Sequence, residues 1–266
     1  MANEELVKAR KIFFLFVPTE FEKTIVKDIV VNEYEAYTLS DDTGLYLPIL
    51  FHYPNSIVFA YENNCPRNVK WKEYYDKLSA CCVEGEIKIS TLRKEGNVLK
   101  IKEDLTNFTP PFPEITLEPD SKAAVPSFLE ILSAFNARGR RSHVRIICDD
   151  GYSATFSVKV QKRIFTGTIL DISSIGMACS FAEPLELAVK MVFEDIQLRL
   201  NGQVCQVSGT IYGKREINNT QIYVIMFDFR KFPDHRQRIY EYVYSALQRD
   251  LKKMKNHIES SKTNPK

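Results

Sequence analysis

Nothing at the start of the chain approaches the roughly 20 apolar residues that a bilayer crossing requires. The first apolar run, Ile12–Val17 (IFFLFV), is short and is followed by no small-residue cleavage pattern, so neither a membrane span nor a secretory signal is expected. Metal-binding and catalytic side chains are sparse too. The four histidines (His52, His143, His235, His257) and six cysteines (Cys65, Cys81, Cys82, Cys148, Cys179, Cys205) contain no CxxC spacing, and adjacent Cys81 and Cys82 make a poor metal pair. The expectation is no metal, no cofactor, and reduced, packed thiols in a cytoplasmic protein. GxSxG, P-loop and HExxH patterns are missing, and no histidine pairs with a nucleophile in a known pattern, so no enzyme activity is expected. Charge of one sign is scarce as well: 36 Lys+Arg against 34 Asp+Glu leave +2, too little for the pervasive basic face of a polyanion binder. Any basic function must be local.

What is present divides into two halves. With 44% hydrophobic and 26% charged residues, the chain is ordinary globular material, and 266 residues suffice for two modest domains. The first half mixes strand and helix patterns. Lys11–Pro18 is a continuous apolar run of strand length. The segment after it places Phe21, Ile25 and Ile29 on one helical stripe with Val26 and Val30 beside it, and Thr19 with Glu22 reads as a capping box. Tyr34–Ser40, Ser56–Glu62 and Glu86–Leu92 read as strands, and Trp71–Cys81 as a helix. That order predicts an open α/β sheet with crossover helices, a small barrel being the competing fold. At Thr109 the proline-rich TPPFPEITLEP breaks the pattern. A short amphipathic helix carrying Phe128, Leu129, Ile131, Leu132 and Phe135 follows as a connector.

From Val144 the grammar is β. Six short stretches rich in branched and aromatic residues are split by turns such as Asn201-Gly202 and Ile217–Asn219, predicting a small antiparallel barrel. A last helix is expected after Asp234, with Ile239, Val243, Ala246 and Leu247 as its apolar stripe. The expected organisation is thus α+β in two domains: 1–119, a connector helix 120–137, a barrel domain with its helix 138–257, and a disordered tail 258–266.

At the entrance to the barrel stands RGRRSHVR, four arginines in eight positions (Arg138–Arg145). A basic run is usually a solvated loop, but this one links a helix directly to a strand. Within it Arg141 and Arg145 form RxxxR, with Arg140 just before. Further on, Asp171-x-Ser173-x-x-Gly176 forms DxSxxG at a strand end. Alone, the second motif is an ordinary turn between strands. The two in this order, ahead of a small barrel and a final helix, resemble the PilZ domain, a bacterial receptor module for cyclic di-GMP, and the layout is similar to that of the spirochaetal two-domain PilZ proteins of the PlzA type.

The resemblance implies that Arg141, Arg145, Asp171, Ser173 and Gly176 bind cyclic di-GMP, with Arg140 accompanying an intercalated ligand dimer. The chemistry agrees: an arginine fork matches guanine O6 and N7 together and its plane stacks on a purine, which lysine cannot do. Asp171 would accept from guanine N1 and N2, the Ser173 hydroxyl would bond a base or phosphate, and Gly176 would let backbone and ligand approach. The implied role is a second-messenger receptor acting on an unidentified protein effector in motility, attachment or virulence, with the arginine run as a hinge that ligand pins. The first half resembles a receiver domain in order, but FVPTEFE and AYENN stand where its acidic pair and phospho-acceptor belong, and Asp41 and Asp42 follow the wrong strand. A degenerate receiver-like partner domain is the expectation. Two further readings remain: a nucleic-acid regulator using the basic loop and Arg249–Lys255 (RDLKKMK), and a PilZ adaptor without ligand. The basic helix end is otherwise explained by compensation of the helix dipole.

Overall fold

The structure is a computed structural model and describes residues 9–39, 46–53, 55–64, 87–95, 98–103, 115–116, 124–139, 141–148 and 153–263. The chain folds as two compact units, one of residues 1–142 with 247–266 and one of residues 143–246. The connector therefore belongs to the first unit.

In the first unit, β1 (Lys11–Leu15), β2 (Ala36–Leu39), β3 (Ser56–Tyr61), β4 (Lys88–Glu95), β5 (Val98–Glu103) and β6 (Ile115–Thr116) form one open sheet in the order β2-β1-β3-β4-β5-β6. β1 is parallel to β2 and β3, and β3 to β4, the start of a doubly wound sheet, so the open sheet and not the barrel alternative describes this unit. β4, β5 and β6 then pair antiparallel, so the parallel part of the sheet ends at β4. β5 and β6 were not anticipated, nor was helix α2 (Tyr46–His52), whose seven residues are too few to reveal a helical period. The expected helix over Trp71–Cys81, Asp41 and Asp42 lie outside the described residues.

Helix α1 crosses from β1 to β2 in three consecutive parts: Thr19–Phe21, a π-helical turn Glu22–Val26, and Lys27–Val31. Its buried residues are those of the expected stripe. The capping box does not form. Pro18 occupies the N-cap, so Thr19 is already helical and its hydroxyl is misplaced for capping. Glu33, with φ 66°, ends the helix: its N–H donates to Val30 O (2.9 Å) and that of Tyr34 to Ile29 O (3.2 Å), a Schellman closure. Helix α3 (Val125–Ala134) ends the same way at Asn136, φ 51°. Its Phe128 meets Phe14, Phe21 and Phe59 edge-on at 6.0, 5.8 and 5.4 Å, so the expected connector helix packs into the core of the first unit.

The second unit is a closed antiparallel barrel. Its strands are β8 (Ala154–Val160), β9 (Arg163–Ser173), β10 (Gly176–Phe181), β11 (Val192–Leu200), β12 (Gln203–Ile217) and β13 (Thr220–Asp228), ordered β10-β13-β12-β11-β8-β9 and closed by β9 on β10. A short strand, β7 (Arg145–Ile147), adds to β9 from outside the ring. Three hairpins turn through residues with positive φ, Gln161-Lys162, Asn201-Gly202 and Asn218-Asn219, the hand that two-residue hairpins require. Buried Phe156 and Tyr223 are joined edge-to-face through the partly exposed Phe181, and the Tyr223 hydroxyl donates to Leu185 O and accepts from Leu187 N.

Helix α4 (His235–Thr263) starts directly after Asp234 and buries Ile239, Val243, Ala246 and Leu247 as expected. It runs through the segment read as a disordered tail to Thr263, since nothing from 258 to 263 breaks a helix. Within the first unit, Gln248 clamps the outer edge of β2: its Oε1 accepts from Thr38 N (3.0 Å) and its Nε2 donates to Ala36 O (3.2 Å). One side-chain amide thereby satisfies the outward backbone groups of an edge strand. Among the described residues no helix is long and apolar enough to cross a membrane, and no group of three or more potential metal ligands occurs.

Candidate functional site

The described arginines of the run stand in different surroundings. Arg138 belongs to the first unit, where its Nη2 donates to Asn32 O (3.2 Å) at the end of α1 and its guanidinium lies 4.9 Å from the Tyr34 ring centre. A cation at a helix C-terminus meets its open carbonyls, so this arginine is structural. Arg140 lies outside the described residues. Arg141 is exposed. His143, the middle of RxxxR, has Nδ1 3.4 Å from the Ser174 hydroxyl. Arg145 is the first residue of β7, so a strand and not a loop holds the second arm of the motif. Arg138 and Arg145 are thus each held by partners within their own unit.

Asp171 owes its direction to an irregularity. Along β9, Thr166 and Thr168 point outward while Gly167 and Ile169 are buried, an alternation that would turn Asp171 into the barrel. Opposite β10, however, Cys179 pairs with Ile169 and Ala178 with Asp171, so Leu170 is an extra residue. This bulge inverts the alternation: Ile172 is buried and the Asp171 carboxylate emerges. The Cys148 N–H donates to Leu170 O (2.8 Å) and holds the bulge from the β7 side. Asp171 Oδ1 then meets Arg145 Nη1 at 3.5 Å, bringing one residue of each motif together.

Ser173 and Gly176 close the hairpin. Ser173, 5% exposed, donates from its hydroxyl to Gly176 O (3.2 Å), and Phe227 N donates to Ile175 O (2.8 Å), fixing the turn against β13. A Cβ on Gly176 would lie 2.6 Å from Ile225 O. The glycine is therefore required by close approach of the protein's own backbone, where the sequence reading assigned the clearance to a ligand. Beneath, the Cys179 thiol is pushed up to about 12 by burial, with the Asp171 charge adding, and Cys205 to about 11 by burial, so both remain protonated thiols near neutrality. Cys65, Cys81 and Cys82 lie outside the described residues. Of two clefts in the barrel unit, one of about 430 Å³ at Thr155, Thr166, Thr168 and Arg199 and one of about 510 Å³ at Glu183, Glu186 and Asn219, neither is lined by a motif residue.

Sequence reasoning missed the bulge at Leu170, although a signal was present: Ile169 and Ile172 are three apart, and a regular strand repeats its buried residues every two. It also missed Ile225, whose carbonyl explains Gly176; that contact joins distant strands and leaves no local trace.

A comparison with curated protein sequences returns no match. Among solved structures the chain is similar to the PilZ domain with c-di-GMP of YcgR from Escherichia coli (18% identity, 44% of this chain, 98% of that one, TM-score 0.37). It is also similar to the K. pneumonia MrkH–c-di-GMP complex (16% identity, 48% and 57%, TM-score 0.36) and to the Borreliella burgdorferi PlzA protein in complex with c-di-GMP (15% identity, 55% and 70%, TM-score 0.31). The chain spans only about half of the longer YcgR chain, 51%, and of MrkH. The residues that form the barrel, its entrance and the start of α4 match a family model: over residues 139–245 this chain carries a PilZ domain.

Proposed function

We propose that the protein is a receptor for cyclic di-GMP that works by binding alone, with Arg140, Arg141, Arg145, Asp171, Ser173 and Gly176 as its ligand-binding set. The observation that carries this reading is the PilZ match over a barrel on whose outer face RxxxR and DxSxxG meet, through Arg145 and Asp171. In the free protein those two satisfy each other. Their side chains are 45% and 20% exposed, and a pair so open to solvent contributes about 0–1 kcal/mol. Ligand separates them at little cost and gives each a better partner: guanine N1–H and N2–H for the carboxylate, and guanine acceptors, purine faces or phosphate for the guanidinium groups. Ser173 already donates its one proton to Gly176 O, so it meets the ligand as an acceptor, which favours a base N–H over a phosphate oxygen. Gly176 contributes through the shape of the turn.

Pinning the residues between Arg138 and Arg145 changes how the two units are held, and the altered surface engages a protein effector. Titration of the purified protein with a panel of cyclic dinucleotides tests the receptor reading. Saturable binding selective for two guanines is expected, with log K falling against log salt at a slope of about two or less, whereas a nucleic-acid polymer held by six or more basic groups gives a slope near five. Absence of cyclic di-GMP binding refutes the reading. Small-angle scattering with and without ligand tests the reorientation, and superimposable profiles refute it.

A further inference from the structure

Ile147 is 73% exposed on β7, the strand outside the ring. A single exposed isoleucine needs no explanation by itself. Its position is what matters. In the β7–β9 ladder Ile147 stands directly opposite Asp171, while Ile146 between it and Arg145 is buried, so Arg145, Ile147 and Asp171 share one outward face. Residues directly opposite in an antiparallel pair hold their Cβ atoms about 4.5–5.5 Å apart. The other residue in register with Asp171, Ala178 on β10, is 4% exposed and offers no surface.

We infer that Arg145 and Ile147 form the two walls of a slot that takes one guanine ring, with Asp171 reading that ring's N1 and N2 edge from across the ladder. Side chains two apart on a strand are separated by about 6.6–6.8 Å. A flat ring in contact with a group on each face needs about 3.5 Å on either side, or about 7 Å in all. The spacing therefore fits one base and no more. Arg145 supplies a planar guanidinium for one face, and Ile147 supplies a rigid, β-branched apolar surface for the other. The wall is well held: Ile146 is buried on one side of Ile147, and on the other the Cys148 N–H is bonded to Leu170 O. An aliphatic wall also explains why an apolar side chain is left open beside an ion pair.

This inference rests on the receptor reading, and the experiment separates their failures. Cyclic di-GMP is titrated calorimetrically into the full chain, into Ile147→Ser and into Ile147→Trp, with thermal unfolding recorded for each. The serine variant is expected to unfold like the parent and to bind about tenfold more weakly, the loss of one apolar face contact. The tryptophan variant is expected to bind at least as tightly as the parent, and ligand should quench a larger share of its fluorescence than in the parent, whose only tryptophan is Trp71. A parent that fails to bind removes the receptor reading and the slot with it. A parent that binds, with a serine variant within twofold of it or a tryptophan variant showing no added quenching, overturns the slot alone.

Discussion

Replacing Gly176 by alanine separates two explanations of a motif glycine. If the glycine merely gives a ligand room, the free protein should not notice a methyl group. The structure says otherwise, because the new Cβ would lie 2.6 Å from the Ile225 carbonyl oxygen and 3.3 Å from Met226 Sδ. The methionine tip can turn aside. The carbonyl cannot, since Gly176 pairs with Met226, Met177 with Ile225, and Ile225 in turn with Ile211 on β12. Relief requires β10 and β13 to part by several tenths of an ångström at a point where Phe227 N also binds Ile175 O. Overpacking of this kind costs about 1–3 kcal/mol. For a unit of about 100 residues each kcal/mol is worth about 4–8 °C, so the barrel transition in calorimetry should fall by about 4–24 °C without ligand present. A midpoint within 1 °C of the parent, with weakened cyclic di-GMP binding, would refute the argument and return the glycine to a ligand-clearance role.

Other outcomes follow from the same geometry. The double substitution Arg141→Ala with Arg145→Ala should weaken cyclic di-GMP binding about thirtyfold to ten-thousandfold in calorimetry, at about 1–3 kcal/mol per arginine–guanine contact, while the barrel transition stays in place. Asp171→Ala should cost discrimination against adenine-containing cyclic dinucleotides more than total affinity, measured by competition. Gln248→Ala removes the partners of Thr38 N and Ala36 O, so amide exchange at Thr38 should accelerate at least tenfold in hydrogen-exchange mass spectrometry, with β1 and β3 unchanged. Alkylation needs the thiolate, and burial raises Cys179 to about 12 and Cys205 to about 11. Below those values both are neutral thiols, so iodoacetamide should leave their peptides unmodified in the native protein at pH 8.

Most of the barrel was legible because its signals are local. GMACSF is β10 residue for residue, and Asn201-Gly202 and Asn218-Asn219 turn where side-chain chemistry demands positive φ. The first unit was legible only as far as its parallel part, where β1 and β3 are buried along almost their whole length and read as unbroken apolar runs. α2 is too short for its period to show, and the antiparallel edge at β5 and β6 is set by pairing partners that no local pattern names. The capping box failed for a related reason: Pro18 was as good a helix entrance as Thr19, and the proline took the N-cap.

The motif residues could be named from the sequence but their surroundings could not, and the difference has one physical source. Of the three motif positions in DxSxxG, two are consumed by the hairpin itself: Gly176 is empty so that Ile225 O can approach, and the Ser173 proton is committed to Gly176 O. Ser173 keeps only its acceptor lone pairs, and Asp171 turns its charge outward because Leu170 adds one residue to β9 and reverses its alternation. On the proposed receptor reading, a turn this constrained holds the carboxylate in place before binding, so the entropic cost of ordering it is already met by folding. The arginines differ in kind. Arg145 is fixed at its Cα by β7 yet is 45% exposed at its side chain, and Arg141 is exposed on a segment outside any strand or helix. Recognition built this way sets a rigid acceptor against adjustable donors, so selectivity for guanine over adenine should reside in the hairpin, and the strength of binding in the arginine run.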